Sequence, residues 1–404
     1  MKKVTFILGL LWIVACESES VPEPAADCLV TASAHSGEII EGEYIVTLKE
    51  NAETSALTST TSNARIAAFS EQLLSKYSLS SGAIRMAFSG KNRGFVAKLS
   101  EGEMKTLQTD QSIELIEPDR KVAICGCVDV VAPASVTWST RKTGYGNGEN
   151  FEDKTVWIID TGVDLDHPDL NVDTQRSQSF ISGQTSADDN NGHGTHVAGI
   201  IGALNNTIGI VGVASGVKLV ALKALDQVGE GRLSSVVAAV SYVSQNGKAG
   251  DVVNMSLGMD GISTTLDRQV QAAADKGILF AIAAGNDGKL ANGFSPGRVN
   301  HANVFTVSAV DSTGRFASFS NYGNDVVDVA AYGVRILSTY ANGRYAILSG
   351  TSMAAPHVAG LLLIRGKDIP TYGTATNDPD GAGDTIARAS SQYATTSSLL
   401  TRSQ

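Results

Sequence analysis

The chain has 404 residues, 43% of them hydrophobic and 18% charged, a globular composition with length for two or three domains. A formal net charge of −10 argues against nucleic acid as a partner. After the first 20 residues no stretch is apolar and long enough to span a membrane as a helix.

Lys2 and Lys3 precede an apolar run, Val4 to Ala15, that ends at Cys16. Charge, a short apolar run and small residues read as a signal peptide, not as a fold element. The segment Ile13-Val14-Ala15-Cys16 resembles the bacterial lipobox. That resemblance implies removal of residues 1–15, lipidation of Cys16, and a place in the bacterial cell envelope or outside the cell, with the lipid as the only membrane attachment. Residues 16–40 are rich in Ser, Glu, Pro and Ala and read as a linker. The chain has four cysteines, Cys16, Cys28, Cys125 and Cys127. With Cys16 lipidated an odd number remains, and Cys28 has Cys125 or Cys127 as a partner in an oxidising compartment.

Residues 41–124 read as a separate unit. "EYIVTLKE" (Glu43 to Glu50) is a strand, and "ARIAAFSEQLLSKY" (Ala64 to Tyr77) has helical period, with Ile66, Phe69, Leu73 and Leu74 on one side. "GFVAKLS" from Gly94 is a strand, "EGEMKTLQTD" from Glu101 a short helix, and "IELIEPDRKVAI" from Ile113 a last strand. The order β-α-β-α-β predicts a compact α+β module of about 80 residues.

From residue 125 to 404 the pattern changes. Apolar strands ("TVWIID", "KLVALKAL", "DVVNMSL", "ILFAIAAG", "VFTVSAV") alternate with helical segments ("HVAGIIGAL", "SSVVAAVSYVSQNG", "RQVQAAADKG"). Continuous apolar strands separated by helices predict an α/β domain, a mainly parallel sheet covered on both faces. Ligands of such sheets bind at the carboxyl ends of the strands.

Chemistry-bearing residues fall at those ends. Asp160 closes the strand of "VWIIDTGVD". His193 and His196 stand in "NNGHGTHVAG", where they read either as a zinc pair or as one base and one packing residue. The zinc reading lacks a third ligand and a base at helical spacing. In "SGTSMAAPHVAG", Gly350 permits a tight turn, Ser352 stands on it, and Pro356 is expected in the first helical turn, where backbone N–H groups have no intrahelical partner. Serine is a weak nucleophile unless a histidine takes its proton, and a buried carboxylate orients that histidine. Asn286, in "AIAAGNDG", offers an amide donor to an oxyanion.

Taken together, "VWIIDTGVDLDHPDL", "NNGHGTHVAG", "VVNMSLG", "AIAAGND" and "GTSMAAPHVAG" resemble the motif set of subtilisin-like serine proteases, from about Thr155 to Leu363. The resemblance implies a three-layer α/β/α domain and hydrolysis of peptide bonds in protein or peptide substrates. Asp160 would orient, His193 act as base, Ser352 as nucleophile and Asn286 as oxyanion donor. Gly229, Gly231, Ser256, Leu257 and Gly258 would pair with substrate backbone. Leu257, Ala283, Ala284 and Gly285 would line an apolar first pocket. "ALNNTIGIVGVA" resembles the calcium loop of the family, with Asp169 and Asn206 side chains and Leu204, Ile208 and Ile210 carbonyls as structural Ca2+ ligands. The module at 41–124 resembles the family's inhibitory prodomain, which implies a self-processing zymogen cut between about Ile124 and Ala132.

Overall fold

The computed structural model describes residues 35–50, 63–124, 129–130 and 136–389. All four cysteines, the expected signal segment and most of the expected cleavage stretch lie outside those residues. Among the described residues, no helix is long and apolar enough to cross a membrane.

The N-terminal module contains β1 (Ile39–Leu48), α1 (Asn63–Lys76), β2 (Ile84–Phe88), β3 (Gly94–Lys98), α2 (Glu101–Leu107) and β4 (Ile113–Ala123). The strands form an antiparallel sheet in the order β2-β3-β1-β4. The expected β-α-β-α-β order therefore lacked one strand, β2, an edge strand of only five residues. Alternation splits β1 and β3 cleanly between two cores. Val46, Phe95 and Ala97 pack with Leu73 and Leu74 of α1, whereas Ile45 and Val96 face the second domain.

The larger domain is built on a nine-stranded sheet. Its elements, in chain order, are α3 (Trp138–Lys142), β5 (Thr155–Asp160), β6 (Gln178–Ser179), α4 (His193–Gly202), β7 (Lys218–Lys223) and β8 (Glu230–Arg232). There follow α5 (Leu233–Asn246), β9 (Val252–Met255), α6 (Thr264–Ala274), β10 (Leu279–Ala283), β11 (Val304–Val310) and β12 (Val329–Tyr332). The hairpin β13 (Ile336–Tyr340) and β14 (Arg344–Leu348), α7 (Thr351–Arg365), β15 (Thr371–Thr374) and β16 (Thr385–Ala387) complete it. The sheet order is β15-β16-β12-β11-β10-β9-β5-β7-β6, parallel except between β15 and β16.

Both faces of this sheet are covered, which is why its strands read as unbroken apolar runs. Val156 and Ile158 of β5 share one core with Val197 of α4 and Val358 of α7. Trp157 and Ile159 share the other with Val236 of α5 and Val270 of α6. The chain leaves β5 toward β7, then crosses back to β9 on the opposite side. The carboxyl ends of β5 and β9 therefore flank the point where the strand order reverses, the position at which open α/β sheets bind ligands.

The N-terminal module docks on the α5 and α6 face through two carboxylates of β4. Asp119 accepts the Ser234 backbone N–H (3.0 Å) and the Ser234 hydroxyl at the start of α5, whose own N-cap residue, Arg232, makes no side-chain cap. Glu117 accepts the Thr265 N–H (2.9 Å) and the Ser263 hydroxyl (3.0 Å) at the start of α6. Each carboxylate meets the positive end of a helix dipole and otherwise unpaired donors.

The C-terminal edge carries a buried acid. Asp384, just before β16, accepts the Ser308 hydroxyl of β11. Burial, with Asp378, Asp380 and Asp328 nearby, pushes its carboxyl up to about 7. The folded protein thus keeps a proton that the unfolded chain gives up near the usual carboxylate range. Stability from this group is fully present below the ordinary carboxylate value of 3.8 and is lost as pH rises from there through about 7. Asp384→Asn, which needs no proton, should raise Tm at pH 9 and change it little near pH ~3.5, below the range where the unfolded chain gives the proton up. Calorimetry of both proteins at the two pH values checks this, with a gain on the order of 1–3 kcal/mol expected at the higher pH.

Candidate active site

Asp160 ends β5 with its side chain fully buried, and its Oδ1 takes two donors: His193 Nδ1 at 2.8 Å and the Thr161 N–H at 2.7 Å. A carboxylate accepts, so the bonded proton sits on Nδ1, and Nε2 lies on the opposite side of the ring, buried. His193 is the first residue of α4, entered through Gly192 at φ +116°, where a Cβ would lie 2.2 Å from the Tyr340 ring. The next residue is also bound to be small: a Cβ on Gly194 would meet the Gly162 carbonyl at 2.0 Å. The glycines of "GHGTH" thus let the helix start directly against the end of β5.

Ser352 is the second residue of α7, and its Oγ donates to the Ser256 carbonyl at 3.2 Å. His193 Nε2 has no hydrogen-bond partner among the described residues, so hydroxyl and imidazole are not bonded to each other in this state. Such contacts commonly tighten only when substrate is bound. Pro356 is the sixth residue of α7, in its second turn, and not in the first turn as expected. Its missing N–H would have bonded the carbonyl four residues back, that of Ser352. That carbonyl accepts the Ser256 hydroxyl at 2.8 Å instead. Asn254 Nδ2 in turn donates to Ser256 Oγ at 2.8 Å.

Asn286 lies beside Ser352 in a cleft at the same sheet end. Its Oδ1 accepts the Thr351 N–H (2.8 Å) and the Thr351 hydroxyl (2.9 Å). With the oxygen taken up, the amide is oriented and its NH2 is the group left for a ligand.

Three expected backbone positions, Gly229, Gly231 and Gly258, frame an occupied groove. β4 enters the cleft between them: Val122 pairs with Gly231 and Ala123 with Glu230, antiparallel. The Ala123 N–H donates to the Gly258 carbonyl (3.3 Å) and the Ile124 N–H to the Gly229 carbonyl (3.2 Å). A Cβ on Gly229 would strike the Ile124 side chain at 2.5 Å, so only glycine lets the strand lie this close. Ser256, Leu257, Ala283, Ala284 and Gly285 line the cleft around Ala123 and Ile124. Arg232, at the outer end, lies 3.9 Å from Glu43 of the N-terminal module.

His196 is separate from this chemistry. Its Nε2 donates to the Ile336 (2.9 Å) and Ala346 (3.1 Å) carbonyls of the β13–β14 hairpin. Burial, with His193 close by, pushes its pKa down to about 3, so it stays neutral and ties α4 to the hairpin.

The Asp169 carboxylate, also fully buried, gathers the loop expected to hold an ion. It accepts Asn206 Nδ2 (3.0 Å), the Ile210 N–H (2.9 Å) and the Tyr345 hydroxyl (3.1 Å), while Asn206 Oδ1 takes the Ile208 N–H (2.9 Å). No Lys or Arg pairs with it among the described residues. Burial pushes its carboxyl pKa up. As the loop stands, the carboxylate is met by three donors, and a hard cation there would require the Asn206 amide to turn its oxygen inward.

Several site residues escaped the sequence reading. Thr351 orients Asn286. Asp189, buried and three residues before Gly192, accepts the Thr161 hydroxyl (2.9 Å), the Thr195 hydroxyl (2.6 Å) and the N–H groups of Asn191, Gly192 and Thr195. The acidic pair Asp188-Asp189 directly before "NNGHGTH" was the available signal.

The chain matches the Subtilase family over residues 152–387 and the Peptidase inhibitor I9 family over residues 43–124. The "Thermostable alkaline protease" of Halalkalibacterium halodurans is 41% identical over 276 residues, 68% of this chain and 73% of that one. The "Thermophilic serine proteinase" of Bacillus sp. (strain AK1) is 35% identical over 369 residues, covering 86% of this chain and 84% of its own. The crystal structure of a cold-adapted subtilisin-like serine proteinase superposes with a TM-score of 0.55 at 33% identity, over 64% of this chain and 99% of that one. On the fold, on the match across most of the larger domain, and on relatives of this closeness, the chain belongs to the subtilase family of serine proteases.

Proposed function

We propose that this protein is an endopeptidase in which Ser352 attacks the substrate carbonyl carbon while His193 Nε2 takes the hydroxyl proton. The Asp160–His193 bond is the observation that carries the reading, because it engages Nδ1 and leaves Nε2 as the ring nitrogen without a partner among the described residues. Asp160 stabilises the imidazolium as it forms. The oxyanion receives hydrogen bonds from Asn286 Nδ2 and the Ser352 N–H. The tetrahedral adduct collapses, and the leaving amine takes the proton back from His193. Water, deprotonated by the same ring, then releases the acyl group from Ser352. Small lining residues, Ala283, Ala284 and Gly285, suit uncharged side chains in the first pocket.

The strand Lys121 to Ile124 lies as a peptide substrate would between the two edges, Gly229–Gly231 and Ser256–Gly258. This supports a zymogen with an inhibitory module at 41–124, a catalytic domain within 125–404, and cleavage by its own active site near their boundary. The register suggests where. Ala123 faces Gly258, and an antiparallel register continued two residues on would bring Cys125 opposite Ser256, whose carbonyl accepts the Ser352 hydroxyl. Cys125 itself lies outside the described residues. Cleavage is therefore proposed at Cys125–Gly126. Intact mass and N-terminal sequencing should find Gly126 at the start of the mature enzyme, and Ser352→Ala should stay full-length in a protease-deficient host.

Residues 1–15 support export, and Cys16 supports a lipid anchor at the cell envelope. Labelled palmitate should enter the wild type and not Cys16→Ser.

A structural Ca2+ is proposed at Asp169 and Asn206, with the carbonyls of Leu204, Ile208 and Ile210. Bound there, it would neutralise the buried carboxylate and tie the loop after α4 to the segment after β5. Free calcium at 100 times Kd should add about 2.7 kcal/mol of stability. Chelation should speed heat inactivation while leaving initial kcat unchanged, and Asp169→Ala should inactivate quickly with or without calcium. Equal inactivation rates in all four samples would remove the ion from this loop.

A further inference from the structure

A buried cation stands behind the catalytic carboxylate. Lys223 is the last residue of β7 and pairs in register with Asp160 across the parallel ladder. It is 1% exposed, and its ammonium donates to the Thr161 carbonyl. No carboxylate lies within 4.0 Å of it in any ion pair among the described residues. A desolvated ammonium is costly unless opposite charge surrounds it. Burial pushes the Lys223 pKa down, while the negative charges of Asp189, Asp160, Asp226 and Asp188, on two loops and the neighbouring strand, oppose that shift.

Thr161 connects the charges. Its N–H donates to Asp160 Oδ1 (2.7 Å), its hydroxyl donates to Asp189 Oδ1 (2.9 Å), and that hydroxyl accepts the Gly194 N–H (3.0 Å). Its carbonyl holds Lys223. One residue therefore links the carboxylate that binds His193, the carboxylate that braces the turn before His193, and the buried ammonium.

We propose that Lys223 is a positioning residue for the reaction: its buried ammonium is the shared counter-charge of Asp160 and Asp189, and it lowers the pH at which His193 becomes free to act as a base. A positive charge near the Asp160–His193 pair opposes protonation of the ring. Removing it leaves the two carboxylates uncompensated, which favours the imidazolium. This inference rests on the Asp160–His193–Ser352 reading above.

The test is the pH profile of kcat/KM, with enzyme concentration taken from fluorophosphonate labelling so that misfolded protein is not counted. Variants are matured at pH 9. Lys223→Met should move the acid limb upward by about half a unit to one unit, a threefold to tenfold loss on that limb, with the alkaline plateau within about threefold of wild type. Lys223→Arg, which keeps the charge, should restore the limb. Asp188→Asn, which removes a half-buried negative charge, should move it the other way, by about a quarter of a unit at low ionic strength. A structural role alone would lower the plateau without these opposed shifts. An unmoved limb in labelled Lys223→Met overturns the proposal. If that variant yields no labelled enzyme, Asp188→Asn decides: a downward shift supports it and an unmoved limb overturns it. A wild-type protein that the probe does not label would instead sink the triad reading.

Discussion

A carboxylate without access to water, Asp160 at the end of β5, organises the centre of this molecule. Buried ionised groups are tolerated only when donors and opposite charge are supplied locally. The turn after β5 supplies the Thr161 N–H, the start of α4 supplies His193, and the end of β7 supplies Lys223. The sheet order puts β7 and β9 on either side of β5, so all these groups come from the same end of the sheet. The glycines around His193 follow from the same demand, since any side chain there would hold the helix away from the strand.

The N-terminal module answers a second electrostatic demand. Helices α5 and α6 begin on the surface next to the groove, and β4 brings Glu117 and Asp119 to those helix starts while its end runs on through the cleft. Recognition of the helix ends and occupation of the groove are thus two parts of one strand. A peptide of the same sequence as the strand's end would have only the groove contacts. The carboxylates, the apolar face of the module's sheet and the cleft residues act together because the module is folded.

Much of this was legible in the sequence. Parallel strands buried on both faces leave continuous apolar runs, and the functional residues follow those runs because chemistry sits at strand ends. The glycine-rich motifs carried the rest of the signal, since close approach of backbones excludes other residues. What was missed was short or distributed. The strand Ile84–Phe88 alternates Ile84, Met86 and Phe88, yet five residues between loops give little period to read. The β13–β14 hairpin, which receives His196, was overlooked because it lies outside the helix–strand alternation. Thr351, Asp189 and Lys223 act through contacts between segments far apart in the chain, and no local spacing announces them. Pro356 was assigned to the first helical turn because proline is tolerated there; its place in the second turn is tolerated because a serine hydroxyl takes over the stranded carbonyl.

That substitution of donors has a mechanical consequence. The hydroxyl of Ser256 holds the backbone of Ser352, and the carbonyl of Ser256 holds the hydroxyl of Ser352. Ser256 also belongs to the edge that lines the groove. The edge proposed to grip a peptide and the turn proposed to attack it are therefore clamped together at two points by a single residue. A displacement of the gripping edge, whether from a poorly fitting side chain or from a mutation in β9, is delivered directly to the attacking oxygen. Selectivity in such a device need not come from how tightly a peptide binds; it can come from how well a bound peptide leaves the clamp undistorted.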